Sequence, residues 1–131
     1  MPKRFSTFVL FLVLAMVCFC GLALAADETV EVSSEEILDV YLGNELAGDH
    51  QFKGKKVKVS GTIRDISKSP TGHYYVNLKS NDMMRSVQCF FPENQLDGLL
   101  KLKKNEPLTT TCDVRGMGML NLELINCSLP E

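Results

Sequence analysis

A five-stranded, partly open β-barrel preceded by one amphipathic helix is the fold class that this sequence predicts. Three observations carry it. From Lys56 onward the chain alternates Val57, Val59, Gly61 and Ile63 with Lys56, Lys58, Ser60 and Thr62, the two-residue period of a strand with one buried and one wet face. Four later segments repeat that alternation between turn-forming residues. A leucine-bearing segment of helical spacing lies between the third and fourth strands, and three strands, a helix and two strands is the element order of the OB-fold, a Greek-key barrel whose helix bridges strands three and four.

The N-terminal helix has a capping-box start. Ser33 and Ser34 precede Glu35 and Glu36, so an N-cap serine is followed three residues on by a glutamate, with acidic side chains in the first turn. Ile37, Leu38, Tyr41, Leu42 and Leu46 then recur at helical spacing, which predicts one helix over residues 34–48. Its apolar stripe belongs against the barrel, because a lone helix of that length is marginal in water. After the first strand, Ser69, Pro70, Thr71 and Gly72 supply turn chemistry. In the second strand Tyr74, Val76 and Leu78 face one way and Tyr75, Asn77 and Lys79 the other. The third, residues 86–91, puts Val87, Cys89 and Phe91 on one side and Gln88 and Phe90 on the other, and Pro92 ends it. Residues 93–102 read as a short helix with Leu96, Leu99 and Leu100 in contact positions. Strands four and five take residues 108–115 and 120–127, joined by Gly116, Met117, Gly118 and Met119. The predicted interior is Val57, Val59, Ile63, Val76, Leu78, Val87, Leu99, Val114, Leu122 and Leu124.

Lys3 and Arg4, an apolar run from Phe8 to Leu24, and Ala23-Leu24-Ala25 have the layout of a secretory signal with cleavage after Ala25. A retained membrane anchor is the competing reading, since the run approaches the length of a spanning helix. Cys20 follows Phe19 and Cys18 follows Val17, so neither has the small preceding residue of a lipid-attached cysteine. The expectation is an exported protein, periplasmic or extracellular, with no stable membrane span once the signal is removed. Residues 26–131 then form one domain: a short acidic linker over 26–32 and the OB-fold domain with its helix over 33–131. Residues 26–49 carry eight carboxylates and no Lys or Arg, whereas residues 50–131 have 12 basic against 8 acidic side chains. Such an arm is either a solvated helix face or a shield over a basic binding face.

Three cysteines remain in that mature chain, Cys89, Cys112 and Cys127, and in an oxidising compartment one disulfide plus one buried thiol is the simplest arithmetic. Cys112 with Cys127, flanking the last hairpin, is the first choice. Strict alternation places Cys127 on the wrong face unless a bulge intervenes, so Cys89 with Cys127 stays open. No C-x-x-C occurs, His50 and His73 lie far from the cysteines in sequence, and no metal or cofactor is expected.

The stretch 44–61 resembles the tRNA-anti-like family of exported OB-fold proteins. The positions that carry the resemblance are Asn44, Glu45, Ala47, Asp49, Phe52, Lys53, Gly54, Lys55, Val57, Val59 and Gly61. It continues through Val87, Cys89 and Phe91, the leucine-rich helix, and Leu124, Asn126 and Cys127. The resemblance implies an OB-fold and export, and it does not by itself imply an RNA ligand. One departure is Thr109-Thr110-Thr111-Cys112, where the family often has Val-x-Gly in strand four.

No constellation for catalysis stands out. A nucleophile needs a base within hydrogen-bond reach, and neither histidine has a nucleophile motif near it; Gly-rich phosphate loops and H-E-x-x-H are missing too. The chain is therefore expected to be a binding protein and not an enzyme. OB-folds bind oligonucleotides or oligosaccharides on the face of strands two and three. The candidate ligand-binding residues are Tyr75 and Phe90 on that face, with Lys58, Arg64, Lys79 and Arg85 nearby by topology. An exported protein with excess acid seldom meets nucleic acid, so a small polar ligand, a glycan or an envelope protein ranks above single-stranded nucleic acid. A structural or interaction adaptor, using the acidic helix or the 116–119 loop, is the alternative.

Overall fold

Along residues 28–131, which the computed structural model describes, the chain runs β1 (Val30–Ser33), α1 (Ser34–Gly43), α2 (Glu45–Phe52), β2 (Lys56–Lys68), β3 (Tyr74–Leu78) and β4 (Val87–Phe91). A 3-10 turn (Glu93–Gln95) then leads into α3 (Leu96–Leu99), β5 (Pro107–Met117) and β6 (Leu122–Ser128). The readings on the signal segment, residues 1–25, lie outside the described residues. At 13 residues β2 is long enough to serve two neighbours. Its first half pairs antiparallel with β5, Val57 opposite Cys112 and Val59 opposite Thr110. Its second half pairs antiparallel with β3 after a register irregularity between Ile63 and Asp65. β3 pairs with β4, β4 runs parallel to β6 with Cys89 opposite Leu124, and β6 returns to β5. Strands β2 to β6 thus close the five-stranded OB barrel.

Period-two alternation places the core. All ten side chains predicted to be interior are buried, joined by Ile37, Leu38, Tyr41 and Phe52 from the helices and by Phe91 and Leu108. Thr110 is buried in the strand that departs from the family pattern, and its hydroxyl donates to the Ser128 carbonyl at 2.7 Å, so the polar atom is satisfied.

Four expectations need correction. Residues 30–33, assigned partly to a linker, form a strand parallel to β2, with Val30 opposite Val57 and Val32 opposite Val59. The alternating valines, not the acidic composition, decide that segment. The single helix over 34–48 is two helices, because Asn44 adopts extended backbone angles. Its amide donates to the Val40 carbonyl and its side-chain oxygen accepts from the Ala47 amide, so one residue ends α1 and caps α2. Leu46, counted in the apolar stripe, consequently points to solvent. The helix over 93–102 is a 3-10 turn plus one α-turn, and Leu100 is exposed rather than in contact. Strand five starts at Leu122, leaving Leu120 exposed in the turn before it.

A small set of contacts fixes the helices on the barrel. Ser33 caps α1 by accepting from the Glu36 amide at 3.1 Å, and Ser34 donates its hydroxyl to the Lys79 carbonyl at 2.6 Å. Tyr41 stacks on Phe52, with ring centroids 6.3 Å apart, and lies flat against Gly48. Gly54 turns the chain at φ +76° and donates to the Val114 carbonyl. Burial first, and then the neighbouring Asp49 carboxylate, hold the Tyr41 phenol above its ordinary pKa. Gly61 lies beneath Ser34, and a Cβ there would collide with the Ser34 hydroxyl. Gly61→Ala is expected to destabilise the fold by about 1–3 kcal/mol, the range for overpacking a filled site. Chemical denaturation measures it, and the cost should shrink when Ser34→Ala is combined with it. Equal stability of Gly61→Ala and the parent would place α1 off the sheet.

Cys112 and Cys127 are joined in a disulfide, and Cys89 is a buried free thiol. The parity problem is solved in β6. Asn126 takes φ +52° in the left-handed region, and the β5–β6 register shifts beside it, between Thr111 and Asp113. That bulge inserts one extra residue, so Leu124 and Cys127 both face the interior.

Candidate functional site

Outward positions of four adjacent strands build one continuous face. On β3 and β4, Tyr75 lies opposite Phe90 and Asn77 opposite Gln88. The parallel β4–β6 ladder sets Gln88 beside Glu123, and the β5–β6 ladder sets Ile125 beside Asp113. Two rows result: an apolar one of Tyr75, Phe90 and Ile125, and a polar one of Asn77, Gln88 and Glu123. The Tyr75 and Phe90 rings meet edge to face, with centroids 6.0 Å apart. The Asn77 side-chain oxygen is buried without a hydrogen-bond partner.

At one end the apolar row deepens into a groove of about 570 Å³. Phe90, Pro92 and Ile125 give it apolar walls, Ser69 and His73 close it from the β2–β3 turn, and Arg115 borders it from β5. Arg115 lies 3.6 Å from Glu123 and remains largely exposed. The volume suits a small molecule or one or two residues of a polymer.

The residues singled out in the sequence divide into three groups. Tyr75 and Phe90 share the face just described. Lys58 sits on the outer surface of β2 beside β1, 3.8 Å from Glu31. Arg64 and Lys79 lie at the β3–β4 loop, where Arg64 donates to the Met83 carbonyl and Lys79 to the Asn105 side chain. Arg85 is exposed in that same loop, residues 79–86. Lys58, Arg64 and Lys79 are thus each engaged in a contact of their own. Arg115 and Ile125 escaped the sequence reading because the parallel β4–β6 pairing that brings β6 to β4 has no local signature.

The three cysteine sulfurs lie within 4.8 Å of one another in the core. Two are tied in the disulfide, and burial pushes the Cys89 thiol up to about 12, which leaves it a neutral packing group.

A closed OB barrel with an aromatic, groove-bearing outer face is thus the class of protein that fold and site define. The chain belongs to the tRNA_anti-like family, whose model matches residues 3–129. No curated protein matches the sequence. Among solved structures it is similar to a candidate nucleic acid-binding lipoprotein of Klebsiella pneumoniae subsp. pneumoniae MGH 78578, with a TM-score of 0.62 at 22% identity over 77% of this chain and 92% of that one. It is also similar to part of a candidate aspartyl-tRNA synthetase of Leishmania major Friedlin, with a TM-score of 0.50 at 10% identity over 83% of this chain but 22% of that one. These likenesses are of fold.

Proposed function

We propose that this chain is an exported, non-catalytic OB-fold module that binds a neutral, polyhydroxylated ligand, a glycan, on the outer face of β3, β4 and β6. The observation that carries the reading is the aromatic row of Tyr75 and Phe90 set beside the Asn77 and Gln88 amides. Ring faces take the apolar side of a sugar and amides take its hydroxyls, a combination of apolar wall and few placed polar groups typical of small-ligand sites. The disulfide and the lipoprotein designation of the Klebsiella relative support export.

Nucleic acid is the second reading, favoured by the name of that same relative. Single-strand binding needs cations along the backbone path beside the stacking platform, and Lys58, Arg64 and Lys79 are engaged elsewhere. Titration of the protein with neutral oligosaccharides from envelope polysaccharide, and in parallel with a single-stranded oligonucleotide, tests the choice. Saccharide binding is expected to weaken at least about fivefold in Tyr75→Ala and in Phe90→Ala, as for truncated aromatic anchors generally. A submicromolar oligonucleotide complex that weakens as salt rises would overturn it.

A further inference from the structure

Seven large apolar side chains are exposed among the described residues, and five of them, Leu46, Met83, Met84, Met119 and Leu120, come from three segments that meet at one end of the barrel. Direct contacts join those segments in a ring. Asn81 in the β3–β4 loop donates to Asp39 on α1 at 3.0 Å. Ser86 at the end of that loop donates its amide and hydroxyl to the Asn121 side chain in the β5–β6 turn, and the Leu122 amide donates to the Ser86 carbonyl. Asp49 on α2 abuts Gly116 just before that turn, and α1 packs on α2 through Tyr41, Gly48 and Phe52. Leu46 is 81% exposed, Met83 88% and Met84 72%, and Met119 is fully exposed. Clustered exposed apolar groups of this kind mark an interaction site. Methionine suits one that must adapt to its partner.

The charge around the patch selects the partner. Residues 34–52 of the two helices contribute Glu35, Glu36, Asp39, Glu45 and Asp49 with His50 and no Lys or Arg, and Lys53, just past α2, lies 3.9 Å from Asp49 and offsets that one carboxylate. The β3–β4 loop adds Asp82 against Lys79 and Arg85, with Arg64 reaching in from β2, and residues 116–121 add no charge. Lys79 and Arg64 are held by Asn105 and by the Met83 carbonyl. We propose that this end of the barrel docks a basic amphipathic helix of a partner protein. Leu46 and the methionines take its apolar side, and the α1–α2 carboxylates take its lysines or arginines. Helix-in-groove recognition uses apolar anchors spaced along one helix face. A second copy of this chain would bring carboxylates against carboxylates, and an anionic membrane would be repelled for the same reason. The surface lies on a different face from the Tyr75–Phe90 row, and the proposal stands independently of the glycan reading.

A fluorescently labelled 14-residue peptide of leucines and lysines, patterned as an amphipathic helix, is the probe, titrated against the protein by anisotropy. Saturable micromolar binding is expected. It should weaken at least about tenfold in Met83→Ser/Met84→Ser/Met119→Ser, a loss expected of truncated apolar anchors, and severalfold as salt is raised to screen the carboxylates. Should the triple variant not fold, oxidation by hydrogen peroxide reads the same contact in the parent protein, since bound peptide should slow sulfoxide formation at Met83, Met84 and Met119. Equal binding of a leucine–glutamate peptide, equal binding by the folded triple variant, unprotected methionines, or no saturable binding would each overturn the proposal. So would peptide-independent dimerisation lost in the triple variant, or binding to vesicles of zwitterionic lipid, each of which assigns the patch to another occupant.

Discussion

Leu124→Ala is expected to lower the free energy of unfolding by about 2–5 kcal/mol, the span for removing a fully buried leucine side chain and leaving a partly collapsed cavity. Leu124 has no exposed surface and sits at the seam that closes the barrel, opposite Cys89 of β4 on one edge and Val114 of β5 on the other. The seam is flanked by strands that cannot shift independently. β5 is held by β2 along Lys56 to Thr62, and β4 is held by β3 along its whole length. Relaxation into the cavity is therefore limited, which places the expected cost in the upper half of the range. Leu100→Ala is the control: Leu100, just past α3, is 74% exposed, and its loss should change stability by less than about half a kcal/mol. Urea denaturation of both variants checks the pair. Equal midpoints for Leu124→Ala and the parent would mean that β6 presents Leu124 to solvent, and the strand's phase would be wrong.

What could be read from the chain follows from how local each signal is. A buried strand announces itself by alternation, and so Val57, Val59 and Ile63, Val76 and Leu78, and Leu122 and Leu124 were all placed inside from the sequence. Capping is equally local, and Ser33 does cap α1. The break at Asn44 was legible only in part, since Gly43-Asn44 is a good stop and a good N-cap, yet Leu46 falls at a spacing that continues the stripe. β1 is four residues long, and its pairing with β2 rests on two valines within an acidic segment, too short a pattern to outweigh composition. The ligand face divides the same way. Tyr75 and Phe90 project outward because their strands alternate, and a hairpin-like connection makes them neighbours. Lys58 is on the outward face of β2 as well, but the barrel turns that part of β2 toward β1 and Glu31. Proximity in strand order is not proximity on a closed surface. Arg115 and Ile125 reach the groove through the β4–β6 contact between strands more than thirty residues apart, which no local pattern encodes.

The Cys112–Cys127 bridge is expected to contribute about 3 kcal/mol, the chain-entropy value for a closed loop of this size, since 15 residues separate the two cysteines. Its position explains why the gain is available. Without the bulge at Asn126, Leu124 would face the core and Cys127 the solvent; the left-handed Asn126 turns the last residues of β6 over, and Cys127 enters the core beside Cys112. Asparagine tolerates that conformation, glycine accepts it freely, and a β-branched residue does not. Three stabilities should therefore order themselves. Cys112→Ala/Cys127→Ala should unfold about 3 kcal/mol below the parent. Asn126→Val should lose about 1–2 kcal/mol from the strained backbone alone, and Asn126→Gly should lose little. Reductant provides the internal check, because it should lower the parent toward the double alanine variant while leaving that variant unmoved. Cys89, buried and neutral, takes no part in either measurement while the barrel is closed. Coincident unfolding of the parent with and without reductant would show that the barrel closes without the bridge. A valine at 126 that matches the parent would show that β6 reaches Cys127 by another route than the bulge.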